Sequence, residues 1–282
     1  KCRKTVSPDT FSRTEQVARS DGGKQDMSVD LIKEGPIARI VINRPEKYNA
    51  MSEEMKTELH EICQELNFDR EVRAVLLSGE GKNFCSGGDV STMAKTDLVA
   101  GRQRCKHTHR TILSLFNLEK PVVSAVRGWV SGAGLAIMLC TDLIIASDNS
   151  KFSAIFKNVG LAPDSGAVYF LSQYLGINRA NDMVMTARAV EANEAHGLGL
   201  VTRVVPDDQL MDEALKTVEE LAEGPTYALS MVKKMLQAMG QPSLEQLLQI
   251  EAWVQPPILM SHDHKEGVAA FLERRPARFT GD

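Results

Sequence analysis

The stretch Lys120-Pro-Val-Val-Ser-Ala-Val-Arg-Gly-Trp-Val-Ser-Gly-Ala-Gly134 decides the fold, because an apolar strand leads directly into a glycine-rich turn. Residues 121–126 are almost entirely apolar and rich in valine, as expected for a strand that is covered on both faces. The small residues from Ser131 to Ala136 then indicate the start of a helix. This order of strand, loop and helix is typical of α/β proteins, in which ligands bind in loops at the ends of strands.

The same order extends in both directions along the chain. Apolar or β-branched runs predict further short strands at residues 29–32, 37–42, 74–77 and 143–146. The first two flank Glu34-Gly35-Pro36, which is typical of a hairpin turn. Ser52 is a candidate N-cap, and apolar residues recur behind it at helical spacing, at Met55, Leu59, Ile62, Cys63 and Leu66. Strands and helices alternate up to about Pro206, which predicts an α/β domain.

Two further segments differ from this domain in their pattern. After Gly224-Pro225 the strand patterns stop and apolar residues continue at helical spacing. We therefore predict an α/β core over residues 27–224 and a helical region over residues 225–282. Residues 1–26 are polar and show no hydrophobic period. They lack the apolar segment of a secretory signal, and we expect a disordered or artificial extension.

Charge and cysteine content argue against several classes of function. The formal net charge is −4, with Lys and Arg scattered among acidic residues, so a nucleic-acid partner is not expected. No apolar run approaches the roughly 20 residues that span a bilayer, so we expect a soluble protein without a membrane partner. The cysteines show neither paired spacing nor a C-x-x-C motif, which argues against disulfides and zinc and favours the cytoplasm: Cys2, Cys63, Cys85, Cys105 and Cys140.

Three glycine-containing loops are the candidate ligand sites: Phe84-Cys-Ser-Gly-Gly-Asp89, Gly128-Trp-Val-Ser-Gly-Ala-Gly134 and Gly160-Leu-Ala-Pro-Asp-Ser-Gly166. Glycine lets a backbone N–H approach a ligand closely, and at a helix start that N–H is free to donate. Two such donors that converge on one oxygen would form an oxyanion hole. Any one loop alone is better explained as a tight turn. The dinucleotide fingerprint and the P-loop pattern are missing, so NAD and ATP are not indicated.

In combination, these loops resemble the signatures of the crotonase (enoyl-CoA hydratase/isomerase) superfamily. The first two signatures are similar to Asn43-Arg-Pro-Glu-Lys-Tyr-Asn-Ala50 and Phe84-Cys-Ser-Gly-Gly-Asp-Val90. The central signature is similar to residues 120–134 followed by Thr141-Asp142. The C-terminal segment of the family is similar to Glu266-Gly-Val-Ala-Ala-Phe-Leu-Glu-Arg-Arg275. The resemblance spans residues 27–282, with the motifs in the correct order.

This resemblance implies a spiral of β-β-α turns with a helical C-terminal region that serves assembly into a homotrimer or a dimer of trimers. It implies an acyl-CoA thioester substrate, with CoA as part of the substrate, and no metal or other cofactor. The oxyanion donors of the family correspond to the backbone N–H groups of Gly88 and Ala133. Substrate contacts are expected from Lys47, Asn49, Ala50, Ser86, Gly87, Gly132, Gly134 and Phe156.

The departures from the family pattern concern the acid and the base. Hydratases of this family carry a glutamate where this chain has Ala136, and a second glutamate where it has Phe156. Without both acids, the two-carboxylate addition of water lacks its catalytic groups. Asp164 stands in the third glycine loop instead. This pattern is similar to the ring-epoxide/oxepin-CoA isomerases of the phenylacetate pathway and to the dienoyl-CoA isomerases, and it makes Asp164 the candidate acid/base.

The residues favour one reaction and leave alternatives open. Once two N–H donors hold the thioester oxygen, an α-carbon proton can be removed to give an enolate, and one carboxylate can return it two carbons away. We therefore predict a double-bond isomerase that acts on enoyl-CoA through Asp164. A hydratase on the same scaffold and a non-catalytic acyl-CoA binder are the alternatives. Without the surrounding signatures, Asp164 would be explained as part of a turn.

The other polar residues near these motifs are predicted to be structural or exposed. Asp89 and Asp142 are expected to cap or anchor loops, and Cys85 has no histidine placed to activate it. Residues 91–104 are expected to form a mobile loop, because charges and Gly101 fall there. Four histidines are predicted to be surface residues: His107, His109, His262 and His264.

Overall fold

The computed structural model describes residues 28–93, 97–238 and 243–278, and within them nine strands form two sheets. The predicted extension over residues 1–26 lies outside the described residues. The strands are β1 (Ser28–Glu34), β2 (Ile37–Asn43), β3 (Ala74–Gly79), β4 (Val122–Val126), β5 (Trp129–Ser131), β6 (Leu143–Ser147), β7 (Lys151–Ser153), β8 (Val190–Glu191) and β9 (Arg203–Val205).

The larger sheet has the strand order β1-β2-β3-β4-β6-β9, and the smaller sheet has the order β5-β7-β8. In the larger sheet, β1 and β2 form the predicted antiparallel hairpin, and the other neighbouring strands are parallel. Nearly every residue of β3 and β4 is buried, which explains their uninterrupted apolar runs. Because β3 and β4 are parallel neighbours, the two glycine loops that follow them leave the same edge of the sheet.

Helices account for much of the remaining described chain. They are α1 (Glu53–Phe68), α2 (Leu98–Phe116), α3 (Ala133–Leu139), α4 (Ala167–Thr186), α5 (Ala192–Gly197), α6 (Leu210–Glu223), α7 (Thr226–Gln237), α8 (Leu244–Met260) and α9 (His262–Glu273). Between Thr226 and Glu273 the described residues form helices and their short connections, without a strand. The prediction of an α/β fold with a helical C-terminal region is therefore confirmed.

Capping side chains fix where α1 and α2 begin. The Ser52 hydroxyl accepts a hydrogen bond from the Met55 N–H, as the sequence predicted. The Asp97 carboxylate accepts from the Ala100 N–H, so α2 starts at Leu98. The predicted mobile loop over residues 91–104 is therefore wrong from Leu98 onward, because an aspartate N-cap opens a helix with one buried face. Residues 94–96 of that prediction lie outside the described ranges.

Apolar side chains fill the space on both faces of the larger sheet. One face packs against α1, α2, α3 and α4 in an extensive core. The other face packs against α6, whose buried residues recur at helical spacing, at Leu210, Ala214, Val218 and Ala222. Cys63 and Cys140 are buried in the first core, as expected for small apolar residues.

The C-terminal helices reach back to the third glycine loop. Helix α8 packs along α2, and α9 packs against the short 3₁₀ helix Ile155–Val159. Two glycines allow this backbone-to-backbone contact. A Cβ on Gly267 would lie 2.7 Å from the carbonyl carbon of Val159, and one on Gly160 would lie 2.8 Å from the Cα of His264. The loop that carries Asp164 is thus positioned by the C-terminal helices.

Candidate active site

The first two glycine loops lie side by side. The Cys85 N–H donates to the Trp129 carbonyl at 3.2 Å, and the Ser131 N–H donates to the Cys85 carbonyl at 3.0 Å. This pairing brings Gly87 next to Ala133. A Cβ on Gly87 would lie 3.1 Å from the Ser131 oxygen and 3.5 Å from the Ala133 nitrogen, and its φ is +112°. Both space and backbone conformation therefore require glycine at position 87.

Two backbone N–H groups at this junction donate no hydrogen bond within the described part of the chain, those of Gly88 and Ala133. Around Gly88, the Gly87 carbonyl accepts from the Met51 N–H at 2.8 Å, and the Asp89 N–H donates to the Met51 carbonyl at 3.1 Å. Ala133 is the first residue of α3, where helical N–H groups have no partner in the helix. Both residues line the same cavity. Such a pair can stabilise an oxyanion.

The cavity has a volume of about 960 Å³, large enough for a sizeable ligand. Most residues predicted to contact substrate line it: Lys47, Ala50, Ser86, Gly87, Gly132 and Phe156, together with Gly88, Ala133 and Asp164. Tyr48, Trp129 and Phe271 also line it, and each is substantially exposed. These aromatic residues mark the part of the cavity that opens to solvent.

Asn49 and Gly134, which were also predicted to contact the substrate, are not among the described residues that line the cavity. Asn49 is fully buried. Its amide donates to the Glu80 and Asn83 carbonyls at 2.9 and 2.6 Å, and its Oδ1 accepts from the Arg44 N–H at 2.8 Å. A Cβ on Gly134 would lie 2.3 Å from the Cys85 carbonyl oxygen. Asn49 therefore holds the loop that carries Lys47, and Gly134 permits close packing of the two glycine loops.

Asp164 lies in the third glycine loop and is half-buried, and the apolar residues Phe156, Val159 and Leu161 line the same cavity. Its carboxylate accepts a hydrogen bond from the Ser165 hydroxyl at 2.9 Å. Its backbone carbonyl accepts from the Ala167 N–H at the start of α4. The side chain is thus oriented by its neighbours while it faces the cavity.

The other carboxylates that line the cavity in the described ranges are Asp89 and Glu46. Asp89 lies 2.8 Å from Arg44 and also caps Ser91, which agrees with its predicted anchoring role. Glu46 is exposed. Ala136 is fully buried in α3, and the Phe156 side chain is apolar. Asp164 is therefore the best-placed carboxylate for acid/base chemistry inside this cavity.

Several polar residues that line the cavity from α1, α2 and α8 were missed by the sequence analysis: Lys56, Arg104, Thr108 and Gln255, with the thiol of Cys105. Lys56 belongs to α1 and its Nζ lies 2.7 Å from Glu53 Oε1. Glu53 also lies 3.6 Å from Arg104 and 2.8 Å from His107. Burial, together with the charge of Arg104, lowers the pKa of Lys56, although Glu53 opposes the shift. The spacing of Glu53 and Lys56 at i and i+3 on one helix was the available signal.

Polar side chains of the C-terminal helices anchor the Asp164 loop from behind. Glu251 accepts from the Gly166 N–H through both carboxylate oxygens, at 3.0 and 3.2 Å. Gln255, one turn later on α8, donates to the Ala162 carbonyl at 2.5 Å. Burial raises the pKa of Glu251, and His109 partly offsets this shift. Glu251 touches the loop and not the cavity, so it positions Asp164 without contacting a ligand.

Two histidines that were predicted to be exposed, His109 and His264, are buried. His109 lies on the face of α2 that packs against α8, where its Nε2 is 3.5 Å from Glu251. His264 Nδ1 lies 2.7 Å from the Val159 carbonyl, and burial lowers the pKa of its ring. The prediction was wrong because the charged neighbours of both residues in the sequence occupy other faces of their helices. His262 is exposed, as predicted.

Cys85 and Asp142 have structural surroundings. Burial raises the pKa of the Cys85 thiol to about 12, so the thiolate that a nucleophile requires is scarce. Asp142 accepts from the Val122 N–H at 2.8 Å and lies 2.9 Å from Lys233, which ties α7 to the sheet. Among the described residues there is no cluster of His, Cys, Asp and Glu that could hold a metal ion. None of the described helices is long and apolar enough to cross a membrane.

A family model described as enoyl-CoA hydratase/isomerase matches residues 33–282. The chain belongs to the enoyl-CoA hydratase/isomerase family. The crotonase resemblance predicted from the loops is thereby confirmed. Within this family, the crystal structure of an enoyl-CoA hydratase from Mycobacterium avium subsp. paratuberculosis K-10 is 30% identical, with a TM-score of 0.83, and the alignment covers 89% of this chain and 98% of that one.

Curated relatives in the enoyl-CoA hydratase/isomerase family carry names for two reactions. The 1,2-epoxyphenylacetyl-CoA isomerase of Escherichia coli K12 is 33% identical over 251 residues, which cover 87% of this chain and 95% of that protein. The short-chain-enoyl-CoA hydratase of Clostridium acetobutylicum is 32% identical over 249 residues, which cover 88% of this chain and 95% of that protein. Similarity alone therefore leaves the reaction open, and the side chains of the cavity must be used to choose.

Proposed function

We propose that the protein is an enoyl-CoA isomerase that moves a double bond along the acyl chain, with Asp164 as its acid/base. The observation that carries this proposal is the pairing of two N–H groups without partners, Gly88 and Ala133, with a single suitably placed carboxylate in the same cavity. An allylic shift requires one oxyanion site and one proton carrier, and this cavity offers that combination.

In the proposed reaction, the thioester oxygen of a 3-enoyl-CoA accepts hydrogen bonds from the N–H groups of Gly88 and Ala133. The Asp164 carboxylate removes a proton from C2, and the electrons move onto the thioester oxygen to give a dienolate. Asp164 then returns the proton to C4, and the double bond ends between C2 and C3. Each N–H donor contributes roughly 3–4 kcal/mol in the transition state, and the carboxylate contributes about 10²–10⁴-fold in rate.

A hydratase is the second candidate, and the polar wall of the cavity is the observation that favours it. Lys56, Thr108 and Gln255 line the cavity and could orient a water molecule. Against this candidate, Ala136 and Phe156 stand where the two glutamates of typical hydratases were expected. Water addition needs a base for the water and an acid for the α-carbon. With one well-placed carboxylate, the isomerase is the better proposal.

We also propose that CoA enters past the exposed aromatic residues and that the subunits assemble as trimers. Lys47 and Arg274 line the mouth of the cavity and are suited to CoA phosphates. Large apolar side chains of α7, α8 and α9 are exposed in the single chain and would be covered in an assembly: Tyr227, Met235, Leu236, Trp253 and Leu272. Light scattering is expected to give a mass near three or six times 31.0 kDa.

Product formation from 3-enoyl-CoA and 2-enoyl-CoA tests the proposed reaction. The wild-type protein is expected to shift the 3-double bond, and Asp164→Asn is expected to lower that rate by about 10²–10⁴-fold. Asparagine keeps an acceptor for the Ser165 hydroxyl, so the loop should be retained. Asp208→Asn, which changes an exposed aspartate that does not line the cavity, serves as the matched control.

Two results would overturn this proposal. Hydration of 2-enoyl-CoA by the wild type, without a double-bond shift, would favour the hydratase. Tight binding of acyl-CoA with no product from either thioester would indicate a non-catalytic binder.

A further inference from the structure

A buried lysine in the cavity wall has more N–H donors than it has hydrogen-bond acceptors in the described part of the chain. Lys56 is 5% exposed. Within the described ranges its Nζ has one acceptor, Glu53 Oε1 at 2.7 Å. An ammonium group carries three N–H donors, and leaving donors unpaired in a buried site costs free energy. Since Lys56 lines the cavity, the remaining donors are available to a ligand.

A buried glutamine on α8 has a hydrogen-bond acceptor that lacks a donor among the described residues. Gln255 of α8 is 1% exposed and lines the same cavity. Its Nε2 donates to the Ala162 carbonyl, which fixes the orientation of the amide because only the nitrogen can donate there. Its Oε1 has no hydrogen-bond partner in the described structure. The cavity wall therefore contains an acceptor without a donor as well as donors without acceptors.

The residues around this wall show that it belongs to the part of the cavity that holds Asp164. Gln255 binds the carbonyl of Ala162 in the Asp164 loop, and Lys56, Arg104 and Asp164 line the same cavity as Gln255. Thr108, which also lines the cavity, donates its hydroxyl to the Arg104 carbonyl at 3.2 Å, so its oxygen can still accept. This wall is polar, whereas the acyl chain of an unsubstituted fatty acid is apolar, so the two do not match.

Charge balance decides what kind of polar group fits. The cations Lys56 and Arg104 lie 2.7 and 3.6 Å from the Glu53 carboxylate, and Asp164 adds a second anion to the cavity lining, so the wall has no excess positive charge for a carboxylate. A neutral hydroxyl can accept from Lys56 and donate to Gln255. We propose that this wall is a binding subsite for a hydroxyl group on the acyl chain of the substrate. The inference rests on the proposed acyl-CoA function and specifies its substrate class as hydroxylated acyl-CoA thioesters.

The test uses isothermal titration calorimetry to compare hexanoyl-CoA with four hydroxylated derivatives, isomeric with one another, that carry one hydroxyl at C3, C4, C5 or C6. At least one hydroxylated isomer at C4 to C6 is expected to bind about tenfold or more tightly than hexanoyl-CoA. In Lys56→Met and in Gln255→Met this ratio is expected to fall towards one. Lys106→Met, which changes an exposed lysine of α2, is the matched control and is expected to keep the ratio.

The outcomes separate this inference from the proposed function. Equal affinity of the wild type for all five thioesters would overturn the subsite and leave the isomerase proposal standing. Failure of every thioester to bind would contradict both. A third outcome combines tighter binding of the C3 isomer alone with hydration of 2-hexenoyl-CoA that is lost in Lys56→Met. This outcome would show that the wall binds the attacking water, and it would overturn the inference. The wild-type comparison decides the question even if a variant fails to fold.

Discussion

The two walls of the cavity are built on different principles. The glycine wall, formed by residues 84–89 and 128–134, presents backbone N–H groups held by short contacts between adjacent loops. The helix wall, formed by α1, α2 and α8, presents side chains such as Lys56 and Gln255. Backbone donors stay in place when side chains change, whereas the helix wall can be altered one residue at a time. Under the proposed function, the glycine wall supplies the chemistry and the helix wall supplies selectivity and positioning.

The position of Asp164 links the two walls. Its loop follows β7 and the 3₁₀ helix Ile155–Val159, but its anchors come from α8 and α9. Damage to the glycine wall is expected to impair both stability and activity. Damage to the anchors should mainly impair the chemical step.

The largest effect is expected from Gly134→Ala in the glycine wall. The added Cβ would lie 2.3 Å from the Cys85 carbonyl oxygen, so the two loops must separate and the N–H pair loses its geometry. We expect kcat/KM to fall by about 10²–10³-fold and the melting temperature to drop. Gly197→Ala is the matched control, because a Cβ at Gly197 meets nothing within 4 Å. Unchanged kcat/KM in Gly134→Ala would show that the close packing of the loops is not required.

A smaller and more selective effect is expected from Glu251→Leu. The variant leaves the Gly166 N–H without its acceptor, so the Asp164 loop can shift while the glycine wall stays intact. We expect kcat to fall by up to about 100-fold, with KM changed by much less. Glu251→Gln keeps an acceptor and should restore most of kcat. Glu245→Leu, on the exposed side of α8, is the control. A parallel loss of stability and substrate affinity in Glu251→Leu, without rescue by glutamine, would indicate a merely structural role.

The smallest effect concerns pH and the anchor His264. Burial holds the pKa of His264 below its ordinary value of 6.5 in the folded chain. Below that value the unfolded chain binds a proton that the folded chain does not, so the free energy of unfolding falls as the pH drops. The loss is at most about 1.4 kcal/mol per pH unit. Denaturation with urea at pH 7 and pH 5 should show a smaller decrease for His264→Gln than for the wild type. The exposed His262→Gln is the control, and equal decreases in all three proteins would contradict the account.

The sequence predicted the glycine wall well because its information is local. The strands, the glycine positions and the order of the loops all lie within short windows, and Asp164 was found within one of them. Asn49 and Gly134 lie in the loops that the sequence indicated, and the structure shows both of them in contacts between loops. Whether a loop residue faces a ligand or its neighbouring loop depends on packing between loops.

The helix wall was not predicted from the sequence because its contacts join distant parts of the chain. Gly166 and Glu251 are 85 residues apart, and Ala162 and Gln255 are 93 apart. Glu251 falls at an apolar position in the helical spacing of α8, which was the signal of a buried polar group with a partner elsewhere. His109 was predicted to be exposed because its neighbours in the sequence are charged, although the residue itself lies on the buried face of α2. Only the packing of α2 against α8 brings these residues together.

The most direct test of the central claim is the exchange of acyl protons in heavy water. The wild type and Asp164→Asn would each be incubated with 3-hexenoyl-CoA in D₂O, and deuterium at C2 and C4 would be followed by nuclear magnetic resonance. Because one carboxylate is proposed to serve both carbons, both exchange rates should fall in Asp164→Asn by the same factor, about 100-fold or more. Retention of exchange at either carbon would contradict the account, because a second group would then carry that proton.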